Sequence, residues 1–471
     1  MSAAIVVSSA ASRAPASRVR LTLAGDVMLG RGVDQLNRLH ADPAIYESYC
    51  RSALDYVALA RRRHGEPPAG HPAGAPDDPA RVWGTLLPDL LPDPARDRDG
   101  PARVLCVNLE TALTARGVPA RYKGIQYRAH PSSAVAALRA ARVDLCALAN
   151  NHVLDWGVEG LVDTLDALDR GGVARAGAGR DAEEAWRPAV LPVHGADRKG
   201  TDRKGTDEKG ADRQGADQGA VPRVVVVSVA HASSGTPPEW EATDRRPGVA
   251  TVRFDEPSVR RVREAFARAD RETAQMAQMA QMASSAPSAP SAPPPVPPTV
   301  RVVSIHWGGN WGFDPDPGQS SFARALVNRA GADVVWGHSS HHVKAFEVVS
   351  PGPWMPCRSP VLYGCGDLVN DYEGIEHLSA AAFRDGAGLL YHLEFESRPD
   401  RGGDRAALVS AEATPTTTKF LAVNRAEDGG EDARWLASTL SREGSRLGFG
   451  TSASADANGR GRLRLEWPRG A

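Results

Sequence analysis

The chain has 471 residues, with 56 Lys and Arg against 57 Asp and Glu and a formal net charge of −1, and 42% of its residues are hydrophobic. A near-neutral chain has no global basic field, so nucleic acid and anionic membranes are excluded as expected partners, while the apolar content is enough for a sizeable core. The length fits two or three domains, or one large α/β domain with insertions.

The cysteine count and the hydropathy pattern indicate the compartment. Five cysteines are present, and none belongs to a CxxC pair. An odd number without paired spacing favours a reducing compartment over a disulfide framework. No run of 18 apolar residues occurs, so we predict no transmembrane helix. The apolar patch near the N-terminus has no charged region ahead of it, so we expect no signal peptide and a cytoplasmic protein.

Strand-like and helix-like patterns alternate along the chain, which predicts an α/β fold. The β-branched runs are RVRLTLAGD, ARVLCVNLE, RVDLCALANNH, PRVVVVSVAH, VRVVSIHWG, ADVVWGHSSHH, PVLYGCGD and GLLYHLEFE. Several are almost wholly apolar, as is typical of strands buried on both faces. Helical patterns occur in PSSAVAALRAARV, VEGLVDTLDALDRGGV and SFARALVNRAGADV.

Low-complexity segments interrupt this pattern. Residues 195–220 repeat a G-[AT]-D-x-[KQ] unit, and residues 273–299 run from an AQM repeat, which could form a helical turn or two, into a Pro-rich stretch. Too few apolar groups are present in either segment to offset the ordering entropy, so we predict two disordered insertions. The predicted organisation is a flexible N-terminus over 1–17, a single domain over 18–425 and a C-terminal tail over 426–471.

Polar residues with metal-binding atoms follow one predicted strand after another. They are Asp26, Asn108 and Glu110, Asn150 to His152, His306, His338 with His341 and His342, and Asp367. Because the C-terminal ends of strands in an open α/β sheet meet at one crevice, we expect these side chains to converge. Carboxylate, amide and imidazole donors without a thiolate suit Mn²⁺, Fe²⁺, Co²⁺, Zn²⁺ or Mg²⁺.

Each motif alone also has a structural interpretation. Glu110 could be exposed beside an N-capping Asn108, and His306 could pack against Trp307 and Trp311. The GHSSHH motif is the most specific, because three imidazoles in five residues are costly to bury unless they bind something. Asp155 could cap the following helix or orient His152.

The motifs together resemble a known family. GDVMLGRGVD, NLETALT, LANNHVLDWGVEGLVDTLDAL, GAGRDAEEAWRPAV, SIHWG, GADVVWGHSSHHVKAFE and YGCGDLVNDYEG are similar in order and spacing to the capsule-synthesis protein CapA family. These are poly-γ-glutamate biosynthesis proteins whose domain is similar to the calcineurin-like metallophosphoesterases. The resemblance covers most of residues 18–375, without the insertions.

The resemblance implies a four-layer αββα sandwich of the metallo-dependent phosphatase type, with two divalent metal ions (Mn, Fe, Zn or Mg) at the strand ends. Catalysis would use His152 as the acid or orienter, with Asp155 as its partner. The metal ligands would be drawn from Asp26, Glu110 (in the bridging role), Asn151, His306, His338, His341 and His342.

The sequence departs from the family pattern at several points. Met28 stands where the superfamily has the His of an opening Asp-x-His. GHSSHH replaces the common GHHPH, so either His341 or His342 could be the second ligand of that motif. Gly309 and Asn310 follow HWG, where the family often has Glu. These departures concern the second metal ion and therefore catalysis.

Three functions follow from the resemblance. The first is metal-dependent hydrolysis of a phosphoester. The second is a non-catalytic accessory role in polymer synthesis or export, with capsule or polyglutamate synthesis proteins as partners. The third is metal-dependent hydrolysis of a γ-glutamyl amide, since the same metal-activated water could attack an amide.

Overall fold

The computed structural model describes residues 18–91, 101–121, 123–193, 222–283, 299–350, 358–375, 380–384, 386–397, 406–455 and 461–468. The strands are β1 (Arg18–Val27), β2 (Ala102–Leu109), β3 (Ala112–Leu113), β4 (Arg128–Ala129), β5 (Leu145–Ala147), β6 (Ala174–Ala176), β7 (Ala178–Gly179), β8 (Ala189–Pro192), β9 (Arg223–His231), β10 (Gly248–Val249), β11 (Thr251–Val252), β12 (Thr299–His306), β13 (Val334–His338), β14 (Phe346–Val349), β15 (Ser359–Leu362), β16 (Asp367–Val369), β17 (Ala387–Ser397), β18 (Ala406–Lys419), β19 (Ala422–Arg425), β20 (Ser452–Ala455) and β21 (Leu463–Glu466).

The α-helices are α1 (Arg31–Gln35), α2 (Leu54–His64), α3 (Leu87–Leu90), α4 (Pro131–Ala140), α5 (Gly157–Gly171), α6 (Ala182–Ala185), α7 (Glu256–Ala283), α8 (Gln319–Ala325), α9 (Ala380–Phe383) and α10 (Glu431–Arg446). A π-helical turn, Leu326–Ala330, continues α8. Short 3-10 helices span Pro72–Gly74, Arg81–Leu86, Ala232–Ser234 and Pro238–Trp240.

Two large sheets carry the fold within the described residues. The first has ten strands in the order β20-β21-β18-β17-β1-β2-β5-β6, with β16 on β1 and β19 on β18. The second has seven strands in the order β11-β9-β12-β13-β15-β14, with β8 on β9. Strands β1, β2, β5 and β6 are parallel, and so are β9, β12, β13 and β15. The α/β prediction is therefore confirmed.

The central strands are buried on both faces. Successive residues of β2 belong to different apolar clusters, with Val104 in one cluster and Leu105 in another. Val224 and Val225 divide in the same way on β9. The cluster that contains Val104 and Val224 draws residues from both sheets, whereas the other two clusters draw on the helices: α4 and α5 in one, α7 and α8 in the other. Side chains of a strand alternate between faces, so this division explains the almost wholly apolar strand sequences.

Helix α5 shows how closely the local sequence matches the structure. Leu161, Leu165 and Leu168 are fully buried on one face, at the spacing that the sequence predicted. The helix ends at Gly172, whose φ of 68° is left-handed and is readily adopted by glycine. Strand β5 ends at Ala147 and helix α5 begins at Gly157. The ANNHVLD segment lies between them, so it is at the C-terminal end of strand β5.

Two predicted boundaries need correction. Helix α7 continues through the AQM repeat to Ala283, so part of the predicted 273–299 insertion is helical, because Ala, Gln and Met are good helix formers. The predicted C-terminal tail contains α10, β20 and β21, and it buries Leu436, Leu440 and Leu463 against the first sheet. Residues 1–17 and 195–220 lie outside the described residues. No described helix is long and apolar enough to cross a membrane.

Candidate metal centre

The first group of possible ligands lies where β1, β2 and β12 end. Asp26 is near the end of β1, Glu110 directly follows β2, and His306 is the last residue of β12. One ligand atom from each lies within 4.8 Å of the others, and all three side chains are buried. The three residues therefore converge as predicted, and they bring together strand ends from both sheets.

A second group shares Asp26 with the first. It consists of Asp26, His341 and Asp367, again with ligand atoms within 4.8 Å of one another. Asp367 is paired with Asp26 in the register of the parallel strands β1 and β16. Its Oδ1 lies 3.0 Å from His341 Nδ1, and its Oδ2 accepts a hydrogen bond of 3.0 Å from Asn370. A carboxylate common to two ligand groups is compatible with a site for two neighbouring metal ions.

Neighbouring polar groups fix the orientation of these ligands. Asn108 Nδ2 donates to Asp26 Oδ1 at 2.7 Å, and the backbone N–H of Ser339 donates to Asp26 Oδ2 at 3.2 Å. Ser339 has a φ of 90°, a strained value that turns the chain between the histidines of the GHSSHH motif. Asn151 Oδ1 lies 3.1 Å from His306 Nε2, so Asn151 is at the edge of the first group.

His152 and Asp155 form a pair beside the first group. His152 Nδ1 lies 2.6 Å from Asp155 Oδ2, and His152 Nε2 lies 3.6 Å from Glu110 Oε1. Asp155 precedes Trp156, the N-cap residue of α5, and its carboxylate contacts His152 and the backbone N–H of Tyr127. The contact at Nδ1 leaves Nε2 of His152 directed at the site.

Lys123 contacts the His152–Asp155 pair, although it was not predicted as a site residue from the sequence. Its ammonium lies 2.5 Å from Asp155 Oδ1 and 3.0 Å from His152 Nδ1, and it donates to the backbone carbonyl of Asn151. Lys123 lies outside the helices and strands, so no periodic pattern in the sequence could indicate this contact.

The GHSSHH histidines have three different environments. His338 Nδ1 lies 3.6 Å from Asp26 Oδ1, and its Nε2 lies 3.0 Å from Ser304 Oγ. His341 reaches the second ligand group. The ring of His342 turns away and packs among Trp311, Phe313 and Phe383. Of the two alternatives left open by the sequence, the structure therefore brings His341 to the carboxylates.

The protonation of this cluster departs strongly from that of free side chains. Burial, followed by the charge of Asp367, raises the pKa of Asp26 to about 7. Burial and Asp26 raise the pKa of Glu110 well above its usual value, and burial holds the pKa of His306 well below its own. Burial opposes protonation of His341, yet the carboxylate of Asp367 outweighs it and raises the pKa. The pKa values of the carboxyl groups are raised because like charges lie close together away from solvent.

These residues fit a divalent cation. Three buried carboxylates, those of Asp26, Glu110 and Asp367, are costly to ionise together unless a positive charge compensates them. His338 Nδ1 is a buried nitrogen without a hydrogen-bond partner, and it faces Asp26. Oxygen and imidazole donors without thiolate are typical ligands of Mn²⁺, Fe²⁺, Zn²⁺ and Mg²⁺.

A cavity of about 350 Å³ opens onto the cluster. Glu110, Asn151, His152 and His341 reach it from the metal side. The remaining lining comes mainly from aromatic and apolar side chains, among them Tyr49, Tyr127, Trp311, Tyr372 and Ile375. A cavity of this size holds a small ligand or one end of a longer chain.

Comparison with known proteins agrees with the motifs. The family described as bacterial capsule synthesis protein PGA_cap matches residues 20–372. A probable polyglutamine synthesis accessory protein of Mycobacterium tuberculosis is 37% identical over 431 residues, which cover 92% of each chain. The capsule biosynthesis protein CapA of Bacillus anthracis is 33% identical over 92 residues, 20% of this chain and 19% of that one. An uncharacterized protein of Sinorhizobium fredii is 25% identical over 302 residues, 56% of this chain and 58% of its own length. The chain therefore belongs to the bacterial capsule synthesis protein family PGA_cap.

Proposed function

We propose that this protein binds two divalent metal ions and hydrolyses a phosphoester. The observation that carries the proposal is the shared Asp26, which is common to the group with Glu110 and His306 and to the group with His341 and Asp367. Asn151 and His338 would complete the ligand set from the positions described above. When bound, the ions would supply Lewis-acid stabilisation of a phosphoryl oxygen and a more acidic water.

In this proposal His152 donates a proton to the leaving oxygen. Asp155 holds its Nδ1, and its Nε2 lines the side of the cavity next to Glu110. Burial lowers the pKa of His152 to about 4, although Asp155 opposes that effect, so the imidazole is neutral before substrate binds. In the proposed step a proton from solvent would add to Nε2, favoured by the negatively charged ester beside it, and would pass to the departing oxygen as the bond of that oxygen to phosphorus breaks.

The proposal includes a four-layer αββα arrangement. It is supported by the apolar cluster that both sheets share and by the two outer clusters that pair each sheet with its own helices. Such a frame brings the strand ends of both sheets to one edge, where Asp26 and His306 meet.

A direct test uses the full-length protein, Mn²⁺ and bis-p-nitrophenyl phosphate. We expect metal-dependent release of nitrophenol that falls by at least about 100-fold in Asp26→Ala and in His152→Ala, since both the ligand and the proton donor contribute to the barrier. His40→Ala is the matched control, because His40 is exposed and does not line the cavity. Equal rates in the wild type and both site variants would refute the phosphoesterase assignment.

A non-catalytic accessory role is the second candidate. A buried Met28 stands two residues after Asp26, where the superfamily pattern has a histidine ligand. The mycobacterial relative is itself described as a probable polyglutamine synthesis accessory protein, so we expect polymer-synthesis proteins as partners. Metal binding without turnover of the phosphodiester, combined with co-purification of polymer-synthesis proteins, would favour this role.

Hydrolysis of a γ-glutamyl amide is the remaining alternative, since the polymer named for the relatives contains amide bonds. Release of shorter chains from poly-γ-glutamate by the wild type, lost in Asp26→Ala, would decide for it. Phosphodiester hydrolysis without chain shortening would decide against it.

A further inference from the structure

One wall of the cavity beside the candidate ligands is aromatic. Trp311 and Tyr49 both line it, and they remain 37% and 62% exposed. Exposed aromatic surface in a concave site favours a ligand that covers it, because each Å² of apolar surface removed from water contributes about 25 cal/mol. Their position next to the metal cluster is therefore evidence about the ligand.

The rings form a continuous arc between the two ends of the site. The Trp311 ring centroid lies 5.7 Å from that of His341, and His341 lies 5.4 Å from Tyr372. Tyr372 Oη is 3.0 Å from Tyr127 Oη, and the Tyr127 ring packs 4.5 Å from His152. A flat group in contact with Trp311 and Tyr372 would therefore lie beside His341.

The charges of the lining residues favour an occupant with few negative charges. Arg31 is the only arginine or lysine among the described residues that line the cavity. Its guanidinium is already paired with two buried carboxylates, Glu47 at 2.8 Å and Asp371 through a bidentate contact. A ligand with several negative charges would find no uncommitted cation among these residues, whereas a singly charged ester needs none beyond the metal ions.

We propose that Trp311, Tyr49 and Tyr372 form an aromatic subsite that binds a flat, uncharged group of the substrate next to the bond that is cleaved. The proposal rests on the hydrolytic function above and specifies its substrate class: a singly charged ester with an aryl or comparably flat apolar substituent. The proposal predicts that the enzyme discriminates between substrates by their non-leaving group. The reason is that Trp311 lies at one end of the arc, whereas His152, which would protonate the leaving oxygen, lies at the other end.

The first test compares bis-p-nitrophenyl phosphate with methyl p-nitrophenyl phosphate, which share a leaving group and differ in the other substituent. We expect the ratio of their kcat/KM values to decrease by about twofold to tenfold in Trp311→Ala and in Tyr49→Ala. This is the range expected for the loss of one aromatic contact. Trp311→Phe should keep most of the ratio. Tyr46→Ala is the matched control, because Tyr46 is 50% exposed but does not line the cavity. An unchanged ratio in both alanine variants would overturn the proposal.

The second test does not depend on turnover. Titration calorimetry of the Mn²⁺-loaded protein with phenylphosphonate and methylphosphonate should show tighter binding of the phenyl compound, and the difference should disappear in Trp311→Ala. Equal affinities, or no binding of phenylphosphonate, would contradict the aromatic subsite. If phenylphosphonate binds preferentially while neither diester is hydrolysed, the subsite stands and the hydrolytic function fails.

Discussion

Replacing Asp155 with asparagine should destabilise the protein far more than a conservative change usually does. Asp155 is fully buried. Its Oδ1 accepts a hydrogen bond of 2.5 Å from Lys123, and its Oδ2 accepts one of 2.6 Å from the backbone N–H of Tyr127 and also faces His152 Nδ1. An asparagine of the same shape removes the charge and places an amide N–H against either the ammonium or the imidazole. Lys123 is then left without a counter-ion, with its side chain only 17% exposed.

Breaking a buried ion pair from one side costs 3–5 kcal/mol, and we expect about 3 kcal/mol here because Lys123 retains some solvent contact and the carbonyl of Asn151. The double variant Asp155→Asn/Lys123→Met removes both charges and should recover at least about 1.5 kcal/mol of that loss through the coupling of the two sites. Burial already lowers the pKa of Lys123, which agrees with an ammonium that depends on its partner.

The assay is urea unfolding of metal-free protein, followed by circular dichroism at neutral pH, for the wild type, both single variants and the double variant. Asp244→Asn is the control, since Asp244 is exposed and should change the free energy of unfolding by less than about 0.5 kcal/mol. A loss below 0.5 kcal/mol in Asp155→Asn, or additive single effects in the double variant, would refute the idea that this pair holds the His152 loop.

Three further predictions concern other histidines and the shared ligand. His341→Gln should weaken Mn²⁺ binding at least tenfold whereas His342→Gln should not, measured by calorimetry, because only His341 reaches the carboxylates; equal effects would count against the assignment. Asp26→Asn should remove both ions, as measured by elemental analysis, and retention of one ion would show that Asp26 is not shared. Burial and the charge of Arg462 hold the pKa of His392 well below its usual value, so the folded state binds fewer protons than the unfolded state below pH 6.5 and stability falls as the pH drops. His392→Gln should reduce this loss by up to about 1 kcal/mol per pH unit, and an unchanged slope of unfolding free energy against pH would contradict the reasoning.

The strands and the first ligand group could be predicted from the sequence because their signals are local. Runs such as RVVVVSVAH can be buried on both faces only in a central strand, and β9 is such a strand. Parallel strands place their carboxyl ends at one edge, so Asp26, Glu110 and His306 could be assigned to one site before any coordinates.

The remaining site depends on side-chain directions that the sequence does not encode locally. His341 and His342 are adjacent, and only the folded structure shows that His341 reaches the carboxylates while His342 packs among aromatic rings. Asp367 follows an apolar run, but its pairing with Asp26 arises from the short strand β16. Lys123 meets Asp155 across a loop.

The C-terminal segment was missed for a different reason. Between Glu431 and Glu466 the buried residues are widely spaced among Ala, Ser, Gly and Arg, so the composition resembles a solvated tail. Leu436 and Leu440, one helical turn apart, were the available signal, since they form the buried stripe of α10.

The central claim is that Asp26 is shared by two metal ions. The most direct measurement is the anomalous difference density of crystals soaked in MnCl₂, combined with the metal content of the same protein in solution. We predict two peaks, one beside Glu110 and His306 and one beside His341 and Asp367, both in contact with Asp26. A single peak, or the absence of any peak at Asp26 at saturating Mn²⁺, would contradict the two-metal account.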